Sequence, residues 1–218
     1  MTDTTVRASI VMSPPLLRSP LAPLHASLDA TIGVEGGAEF VRSYTDPESE
    51  RVALTKRVGI ADVTVRAKID VRGDVAAALH ATDDAGLAIA DDWTLLLLPP
   101  GRVVERVAEM QAAAGQKAMV TDVTHLYAGF AIAGPTWADA VERLTSWDPS
   151  TLAAGEATGA PIADIRAVAV RRETEVPVLE IFVATEFAGY AWRSILEVVE
   201  GLGGGPVGWD ALREQGWN

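Results

Sequence analysis

The segment that decides the fold runs from Ala61 to Arg72 and has the sequence A-D-V-T-V-R-A-K-I-D-V-R. Apolar and polar residues alternate along almost all of it. A period of two is typical of a β-strand with one buried face, because successive side chains point to opposite sides of the sheet. The segment therefore predicts one half-buried strand whose charged residues lie on the face away from the core.

Strand and helix signals alternate on the C-terminal side of this segment. Gly73 ends the predicted strand, and Asp74 is placed to cap a short helix that continues to Leu79. A buried strand is predicted over Thr94–Leu98, and apolar residues at helical spacing follow Pro99-Pro100. These residues are Val103, Val104, Val107, Met110 and Ala114. A strand followed by a helix is therefore predicted twice.

The remaining elements complete an α+β pattern. Strands are predicted over the segments Ala118–Val123, Leu126–Ala133, Ile162–Arg172 and Val178–Ala184. A helix is predicted over Pro47–Val58, and a second one follows Gly134 with Pro135 in its first turn. A third is predicted from the apolar stripe between Phe187 and Val199, and Gly201–Gly205 ends it. Together these elements predict an α+β fold with two similar antiparallel-sheet layers covered by helices.

Composition excludes several classes of function. The chain has 218 residues, of which 49% are hydrophobic, enough to bury the core of one large domain or of two small ones. Its net charge of -12 repels phosphate backbones and anionic lipid, which argues against nucleic acid or a membrane as a partner. There is no cysteine, and the three histidines are far apart in sequence, so we expect no metal site.

The N-terminal residues and the apolar runs bear on targeting and on the domain boundary. The first residues are polar and lack the apolar core of a secretion signal, and the longest apolar run, Trp93–Pro100, is too short to span a bilayer. We therefore expect a cytoplasmic protein. Prolines at positions 14, 15, 20 and 23 predict an extended N-terminal arm over residues 1–17, ahead of one domain over residues 18–218.

Six segments, in the same order, resemble one protein family. They are Arg18-Ser-Pro-Leu-Ala-Pro-Leu-His25, Leu54-Thr-Lys-Arg-Val-Gly-Ile-Ala-Asp62, Ala67-Lys-Ile-Asp-Val-Arg-Gly73, the segment from Val120 to Pro135, Leu179-Glu-Ile-Phe-Val183 and Pro206-Val-Gly-Trp-Asp-Ala-Leu-Arg213. The family is the aminomethyltransferases (glycine-cleavage T-protein), with the YgfZ-like proteins and the gamma subunit of heterotetrameric sarcosine oxidase. The resemblance implies the fold of the aminomethyltransferase folate-binding domain, with tetrahydrofolate as cofactor.

The family's C-terminal barrel has no counterpart in this sequence. In the aminomethyltransferases the barrel lies beyond the arginine that matches Arg213, whereas this chain continues only to Asn218. The length of the chain is more similar to that of the sarcosine oxidase gamma subunit. The expected fold is therefore the folate-binding domain without the C-terminal barrel.

The resemblance implies one catalytic carboxylate. The segment Ala88-Ile-Ala-Asp-Asp-Trp93 is similar to the family's G-G-I-x-D-D-L, which would give the catalytic role to Asp91 or Asp92. A carboxylate beside the reacting nitrogen of a folate would hold and polarise it. The alternative is that Asp91 and Asp92 form a solvated acidic turn before a buried strand.

Four further residues are candidates for cofactor binding. The resemblance places Arg213 near the ligand, where a guanidinium could clamp the pterin or the glutamate tail, and it includes Tyr127 in a matching motif. The family's folate-binding glutamate falls on Val176 by direct register and on Glu175 after a slip of one residue. Glu180 would serve either as a ligand contact or as one half of a structural ion pair.

The sequence leaves two functions open. The first is a tetrahydrofolate-binding protein of one-carbon metabolism, which would act as a folate-dependent aminomethyltransferase or demethylase component if it is an enzyme. The second is a non-catalytic, gamma-like subunit of a sarcosine oxidase or demethylase-type complex. Apolar surface around Trp209 and Trp217, left uncovered without the barrel, favours a protein partner or a homo-oligomer.

Overall fold

The structure, a computed structural model, describes residues 16–80 and 86–217. The strands are β1 (Thr31–Glu35), β2 (Ala38–Ser43), β3 (Gly59–Asp62), β4 (Ala67–Gly73), β5 (Leu87–Ala90), β6 (Trp93–Leu98), β7 (Ala118–Asp122), β8 (Tyr127–Ala133), β9 (Ala157–Ile162), β10 (Ile165–Arg172), β11 (Val178–Ala184) and β12 (Gly205–Pro206). The helices are α1 (Ala22–Ser27), α2 (Pro47–Lys56), α3 (Val75–Leu79), α4 (Val103–Ala114), α5 (Trp137–Glu142), α6 (Ala188–Gly201) and α7 (Trp209–Glu214).

The strands form two large sheets and one hairpin. A six-stranded sheet has the order β12-β3-β8-β11-β10-β9, and a four-stranded sheet has the order β5-β6-β4-β7. All pairs within them are antiparallel except β12 with β3, and β1 pairs with β2 in a separate antiparallel hairpin. The predicted α+β fold is confirmed, and the described residues contain no closed barrel.

The buried hydrophobic residues form three clusters, one on each side of the two sheets and one between them. Helices α1, α5 and α6 cover one face of the six-stranded sheet, where Trp192 packs against Phe130. Helices α3 and α4 cover one face of the four-stranded sheet around Met110. The other faces of the two sheets meet around Phe182 and Leu95, with α7 at one end of this layer. The two sheets therefore face each other, and each has helices on its outer side.

The segment from Ala61 to Arg72 differs from its prediction. It forms two strands, β3 in the six-stranded sheet and β4 in the four-stranded sheet, joined by a turn in which Arg66 N–H donates to the Val63 carbonyl over 3.1 Å. The alternating polar side chains Thr64, Arg66 and Lys68 are buried. The prediction of one half-buried strand was wrong because the polar face of this segment meets the second sheet instead of solvent.

Other predictions hold with smaller changes. The strand Val178–Ala184 is confirmed, and Asp74 caps α3 through the Ala77 N–H. The predicted strand Ile162–Arg172 is divided by a turn at Ala163 and Asp164, both at positive φ, so that Ile162 belongs to β9. Pro135 precedes the N-cap Thr136 instead of occupying the first turn of α5. The β1–β2 hairpin was not predicted, although Ile32 and Val34 recur at strand spacing and Gly36-Gly37 forms its two-residue turn.

Apart from residues 16 and 17, the predicted N-terminal arm lies outside the described residues. Within residues 16–80 and 86–217, none of the helices combines the length and the apolar character needed to cross a membrane. In the same ranges, no group of three or more His, Asp or Glu side chains is placed to hold a metal ion. The extent of the domain, residues 18–218, remains a prediction.

Candidate functional site

A buried ion pair lies at one end of the layer between the sheets. Arg66 Nη1 lies 2.5 Å from Glu180 Oε1, and the two side chains are 3% and 0% exposed. Trp217 Nε1 donates to the same oxygen over 2.7 Å. Within residues 16–80 and 86–217, Glu180 Oε2 accepts no hydrogen bond, and Arg172 Nε lies 3.9 Å from it. The pair therefore leaves one buried carboxylate oxygen without a hydrogen-bond donor.

Burial changes the protonation behaviour of the cations in this layer. It lowers the pKa of Arg66, an effect that the Glu180 carboxylate opposes. It also lowers the pKa of Lys68 to about 7, although Asp62 acts in the opposite direction. The Lys68 ammonium donates to the carbonyls of Thr64 at 2.7 Å and of Arg66 at 3.0 Å. Lys68 thus fixes the turn that presents Arg66.

Helix α7 brings aromatic and cationic groups beside this ion pair. Gly208 is required ahead of α7, because a Cβ there would lie 1.9 Å from the Arg42 carbonyl oxygen. Trp209 Nε1 donates to the Asp62 carbonyl over 2.7 Å, and its ring meets that of Trp217 edge-on at 5.0 Å. The Arg213 guanidinium lies 5.1 Å from the centre of the Trp209 ring. The two indoles are thereby held in place before any ligand binds.

These groups surround a cavity of about 260 Å³. Its lining consists of Glu35, Arg66, Pro99, Pro100, Trp209, Arg213 and Trp217. Arg213 Nη2 donates to Glu35 Oε2 over 2.8 Å, and both side chains are at least one third exposed, so this ion pair lies at the solvent side of the cavity. The cavity therefore combines two indole rings and two guanidinium groups with a single lining carboxylate.

The structure brings three of the predicted cofactor-binding residues into this region. Glu180 lies behind Arg66, and Arg213 lines the cavity. Gln215 lies between Arg213 and Trp217, and its carbonyl accepts from the Glu175 N–H over 3.2 Å. The Glu175 side chain itself is exposed. Glu180 forms the structural ion pair that the sequence left as one of two alternatives.

The structure places the other predicted site residues elsewhere. Asp91 and Asp92 form the exposed turn between β5 and β6, where the Asp92 carbonyl accepts from the Gly73 N–H. They are at the opposite end of β4 from Arg66, a distance of roughly 20 Å at the usual rise of a strand. Tyr127, half-buried at the start of β8, pairs with Ala184 and also lies away from the cavity.

Of the seven lining residues, only Arg213 was predicted as a site residue. Arg66 belongs to the alternating segment, whose polar residues were expected on the outer face. Glu35 lies in a hairpin that was not predicted, and Trp209 and Trp217 were noted for their apolar surface. For Arg66 a signal existed: in two stacked antiparallel sheets, an arginine and a mid-strand glutamate such as Glu180 can both be buried only if they pair.

A second buried polar network joins α1 to the six-stranded sheet. Asp62 Oδ2 lies 2.7 Å from His25 Nε2 and accepts from Ser19 Oγ over 2.5 Å. His25 Nδ1 lies 2.9 Å from the Tyr44 hydroxyl. Burial acts to raise the pKa of Asp62, but the hydrogen bonds from His25, Ser19 and Thr64 and the charge of His25 outweigh it, so the pKa is lowered. The cavity beside this network is only about 20 Å³, too small for an organic ligand.

The two facing antiparallel sheets with outer helices give the chain the fold of the aminomethyltransferase-like folate-binding domain superfamily. The aminomethyltransferase T of the glycine cleavage system from Bartonella henselae superposes with a TM-score of 0.73 at 19% identity, over 90% of this chain and 60% of that chain. A chain of heterotetrameric sarcosine oxidase from Corynebacterium superposes with a TM-score of 0.64 at 18% identity, over 85% of this chain and 95% of that chain.

Sequence comparison gives the same result. The curated aminomethyltransferases of Mycobacterium bovis and Mycobacterium tuberculosis are 27% identical over 226 residues, which cover 89% of this chain. The chain spans 60% of the length of these relatives. No family model matches the chain. The predicted resemblance to the aminomethyltransferase superfamily is confirmed.

Proposed function

We propose that this chain binds tetrahydrofolate, or a folate-related ligand of one-carbon metabolism, in the cavity between Arg66 and Arg213. The observation that carries the proposal is the cavity itself: the Trp209 and Trp217 indoles and the two guanidinium groups converge on one space. The pyrimidinone ring of tetrahydrofolate is planar and bears hydrogen-bond acceptors, and the glutamate tail bears carboxylates. Indole rings suit the former, and guanidinium groups suit both.

The size of the cavity limits the mode of binding. Sites that enclose a drug-sized molecule usually measure about 300 to 1,000 Å³, and this cavity measures about 260 Å³. It therefore accepts the pterin or the tail, while the other part of the ligand lies on the surface. For a ligand carboxylate to approach Arg213, the Arg213–Glu35 ion pair must open. The free-energy cost of opening it is small because both side chains are partly exposed.

The proposal assigns binding to this site and does not assign catalysis. Glu180 is held by Arg66 and Trp217, and Glu35 is paired with Arg213, so each carboxylate near the cavity is already engaged by a cation. Asp91 and Asp92, which the resemblance suggests as catalytic groups, lie roughly 20 Å from Arg66 along β4. One small ligand in the cavity cannot contact them.

Titration with tetrahydrofolate under anaerobic conditions tests the proposal. We expect the melting temperature to rise with ligand concentration, because a ligand that binds only the folded state stabilises it. The variant Arg213→Gln should weaken binding by about tenfold or more, since it removes a charge-assisted hydrogen bond. Arg42→Gln is the matched control, because it removes a similar exposed ion pair, with Asp210, at the same helix. An unchanged melting temperature at millimolar ligand contradicts the proposal.

The second candidate is a non-catalytic subunit of an oxidase or demethylase-type complex. One observation favours it: the superposition covers 95% of a chain from a heterotetrameric sarcosine oxidase, but only 60% of the aminomethyltransferase T. Purification from the native source tests this candidate. It predicts that the chain elutes at the mass of a larger complex together with flavin absorbance. A chain that elutes alone as a monomer contradicts it.

A further inference from the structure

A second and larger cavity lies at the other end of the layer between the sheets. It measures about 640 Å³, within the range of sites that bind small organic molecules. Trp93 contributes to it from the four-stranded sheet, and strands β8 to β11 contribute from the six-stranded sheet. We call this space the inter-sheet cleft. The proposed tetrahydrofolate site does not include any of its residues.

The floor of the inter-sheet cleft is a face of the six-stranded sheet. Val168 on β10 pairs with Gly159 on β9 and with Phe182 on β11, and directly opposed residues in a sheet share a face. The ring of Phe182 extends over Gly129, since a Cβ there would lie 2.7 Å from it. At Gly159 a Cβ would meet nothing within 4 Å. Small residues thus leave the floor open beside an aromatic ring.

One wall of the inter-sheet cleft is fixed in advance. The indole of Trp93 donates from Nε1 to the Asp70 carboxylate, and the Arg72 guanidinium lies 3.9 Å from the centre of its ring. Arg72 is in turn bonded to Asp70 at 2.9 Å. An aromatic wall that is already ordered loses little conformational entropy when a planar ligand stacks on it. Phe187, which is 42% exposed, borders the same space.

The polar groups of the inter-sheet cleft are few, and they have no partners. Among the described residues, Arg166 is the only charged one in the lining; it is exposed to solvent, and no ion pair or hydrogen bond within residues 16–80 and 86–217 engages its guanidinium. The Tyr127 hydroxyl has no hydrogen-bond partner there either, and burial together with Asp70 raises the pKa of Tyr127, so this group remains a donor. Strand β11 separates the strands that carry the two residues, which places them two strand spacings apart, about 10 Å.

We propose that the inter-sheet cleft binds a planar bicyclic aromatic carboxylate, whose ring stacks among Trp93, Phe182 and Phe187 and whose carboxylate pairs with Arg166. The backbones of the strands that carry Arg166 and Tyr127 are about 10 Å apart, so a molecule of two fused rings with a short acidic side chain fits on the floor between them. An unpaired arginine in the lining of an otherwise apolar cavity selects an anion over a neutral ring, and this is significant in a chain of net charge -12.

Isothermal titration with indole-3-acetate tests the proposal, with the neutral indole-3-acetamide as comparison ligand. We expect the acetate to bind with a Kd of about 1 mM or tighter, as ordinary ligand efficiencies allow for a molecule of this size. The amide should bind at least about tenfold more weakly. Absence of binding by the acetate at about 10 mM, or equal binding of the two ligands, overturns the proposal.

Two variants locate the binding within the inter-sheet cleft. Arg166→Gln should weaken indole-3-acetate binding about tenfold. Gly159→Val should abolish it, because the new side chain enters open space in the cleft, and valine is favourable in a strand, so the fold is retained. The control is Arg193→Gln, which changes an exposed arginine on α6 outside the cleft lining. This variant should bind indole-3-acetate like the wild type. Unchanged affinity in both cleft variants overturns the assignment.

The same variants separate this proposal from the proposed function. Arg166→Gln should leave the response to tetrahydrofolate intact, and Arg213→Gln should leave indole-3-acetate binding intact. If tetrahydrofolate fails to bind while indole-3-acetate binds and is sensitive to Arg166→Gln, only the first proposal fails. Loss of indole-3-acetate binding in Arg213→Gln would overturn the assignment to the inter-sheet cleft.

Discussion

At the Arg66–Glu180 contact, two charges lie where water does not reach. Burying a charge is costly unless a partner and additional hydrogen bonds compensate for the lost solvation. Here Trp217 supplies one hydrogen bond to Glu180, and the Trp217 ring also lies 4.9 Å from the Arg66 guanidinium. The ion pair thus orients a cation toward the cavity and holds the C-terminal segment against the sheet.

Removing one member of this pair should be much more costly than breaking a surface pair. We expect Arg66→Met to lower the free energy of unfolding by about 3 to 5 kcal/mol, because Glu180 is left buried and uncompensated. Arg42→Met, which breaks the exposed pair with Asp210, should cost about 1 kcal/mol or less. Urea unfolding of both variants measures the difference. Equal losses would show that the Arg66–Glu180 pair is not buried as described.

Lys68 predicts a dependence of stability on pH. Its pKa is lowered from 10.5 to about 7 in the folded chain, so between these values the unfolded chain binds a proton that the folded chain does not bind. Stability from this group therefore rises with pH across that window and is smallest below pH of about 7. Relative to Lys68→Met, the wild type should gain roughly a few kcal/mol between neutral pH and pH 10.

Urea unfolding of the wild type and of Lys68→Met at a series of pH values measures this gain. All other titrating groups are shared by the two proteins, so they cancel in the difference. A difference that stays constant with pH, or that falls as pH rises, contradicts the lowered pKa of Lys68.

At the scale of elements, one glutamate joins α2, β2 and α7. Glu50 is buried on α2, although its sequence context suggested only the polar start of a helix. Its Oε1 accepts from the N–H groups of Tyr44 and Thr45, and its Oε2 accepts from the Gly208 N–H at 2.8 Å. One carboxylate oxygen thus accepts from the backbone N–H groups that follow β2, and the other accepts from the N–H group that precedes α7. The position of α7, and with it the cavity wall, depends on Glu50.

A substitution at this junction should therefore destabilise the protein. We expect Glu50→Ala to cost about 2 to 4 kcal/mol, since three backbone N–H groups lose their acceptor. Glu48→Ala is the matched control on the same helix, because Glu48 is exposed and pairs with the exposed Arg51, and it should cost about 1 kcal/mol or less. Thermal unfolding of the two variants measures this, and similar shifts in both would contradict the role of Glu50.

At the scale of the whole molecule, the segment between β3 and β4 couples the two sheets. It leaves the six-stranded sheet at Asp62 and enters the four-stranded sheet at Ala67, and the buried side chains of Thr64 and Arg66 bond back to β8 and β11 of the first sheet. Both candidate binding spaces lie in the layer that this coupling creates, one at each end. A shift of one sheet relative to the other would change the two spaces together.

This arrangement predicts where backbone amides are protected. Strands β8 and β11 lie inside the six-stranded sheet, with helices on one side and the second sheet on the other, so their amides should exchange only through global unfolding. Strand β1, which pairs only with β2 and is largely exposed, should exchange much faster. Hydrogen exchange measured by mass spectrometry tests this, and equal protection of β1 and β11 would contradict it.

The sequence by itself predicted the elements that depend on local periodicity. The apolar run Val178–Ala184 and the cap at Asp74 are local properties, because a short apolar strand and a capping bond both involve residues close in the chain. The resemblance in short motifs predicted the fold class and pointed to Glu180 and Arg213. The hairpin β1–β2 was missed, although its two-residue turn at Gly36-Gly37 is a local signal of the same kind.

Only the tertiary structure decided what the polar faces contact. The period of two predicts that Arg66 and Lys68 share a face of the chain, but it does not predict whether that face meets water or another sheet. The second sheet covers it, which turns charged residues into buried ones and separates Asp91 and Asp92 from Arg213. The physical reason is that burial is a property of two surfaces brought together from distant parts of the chain, and a local pattern describes only one of them.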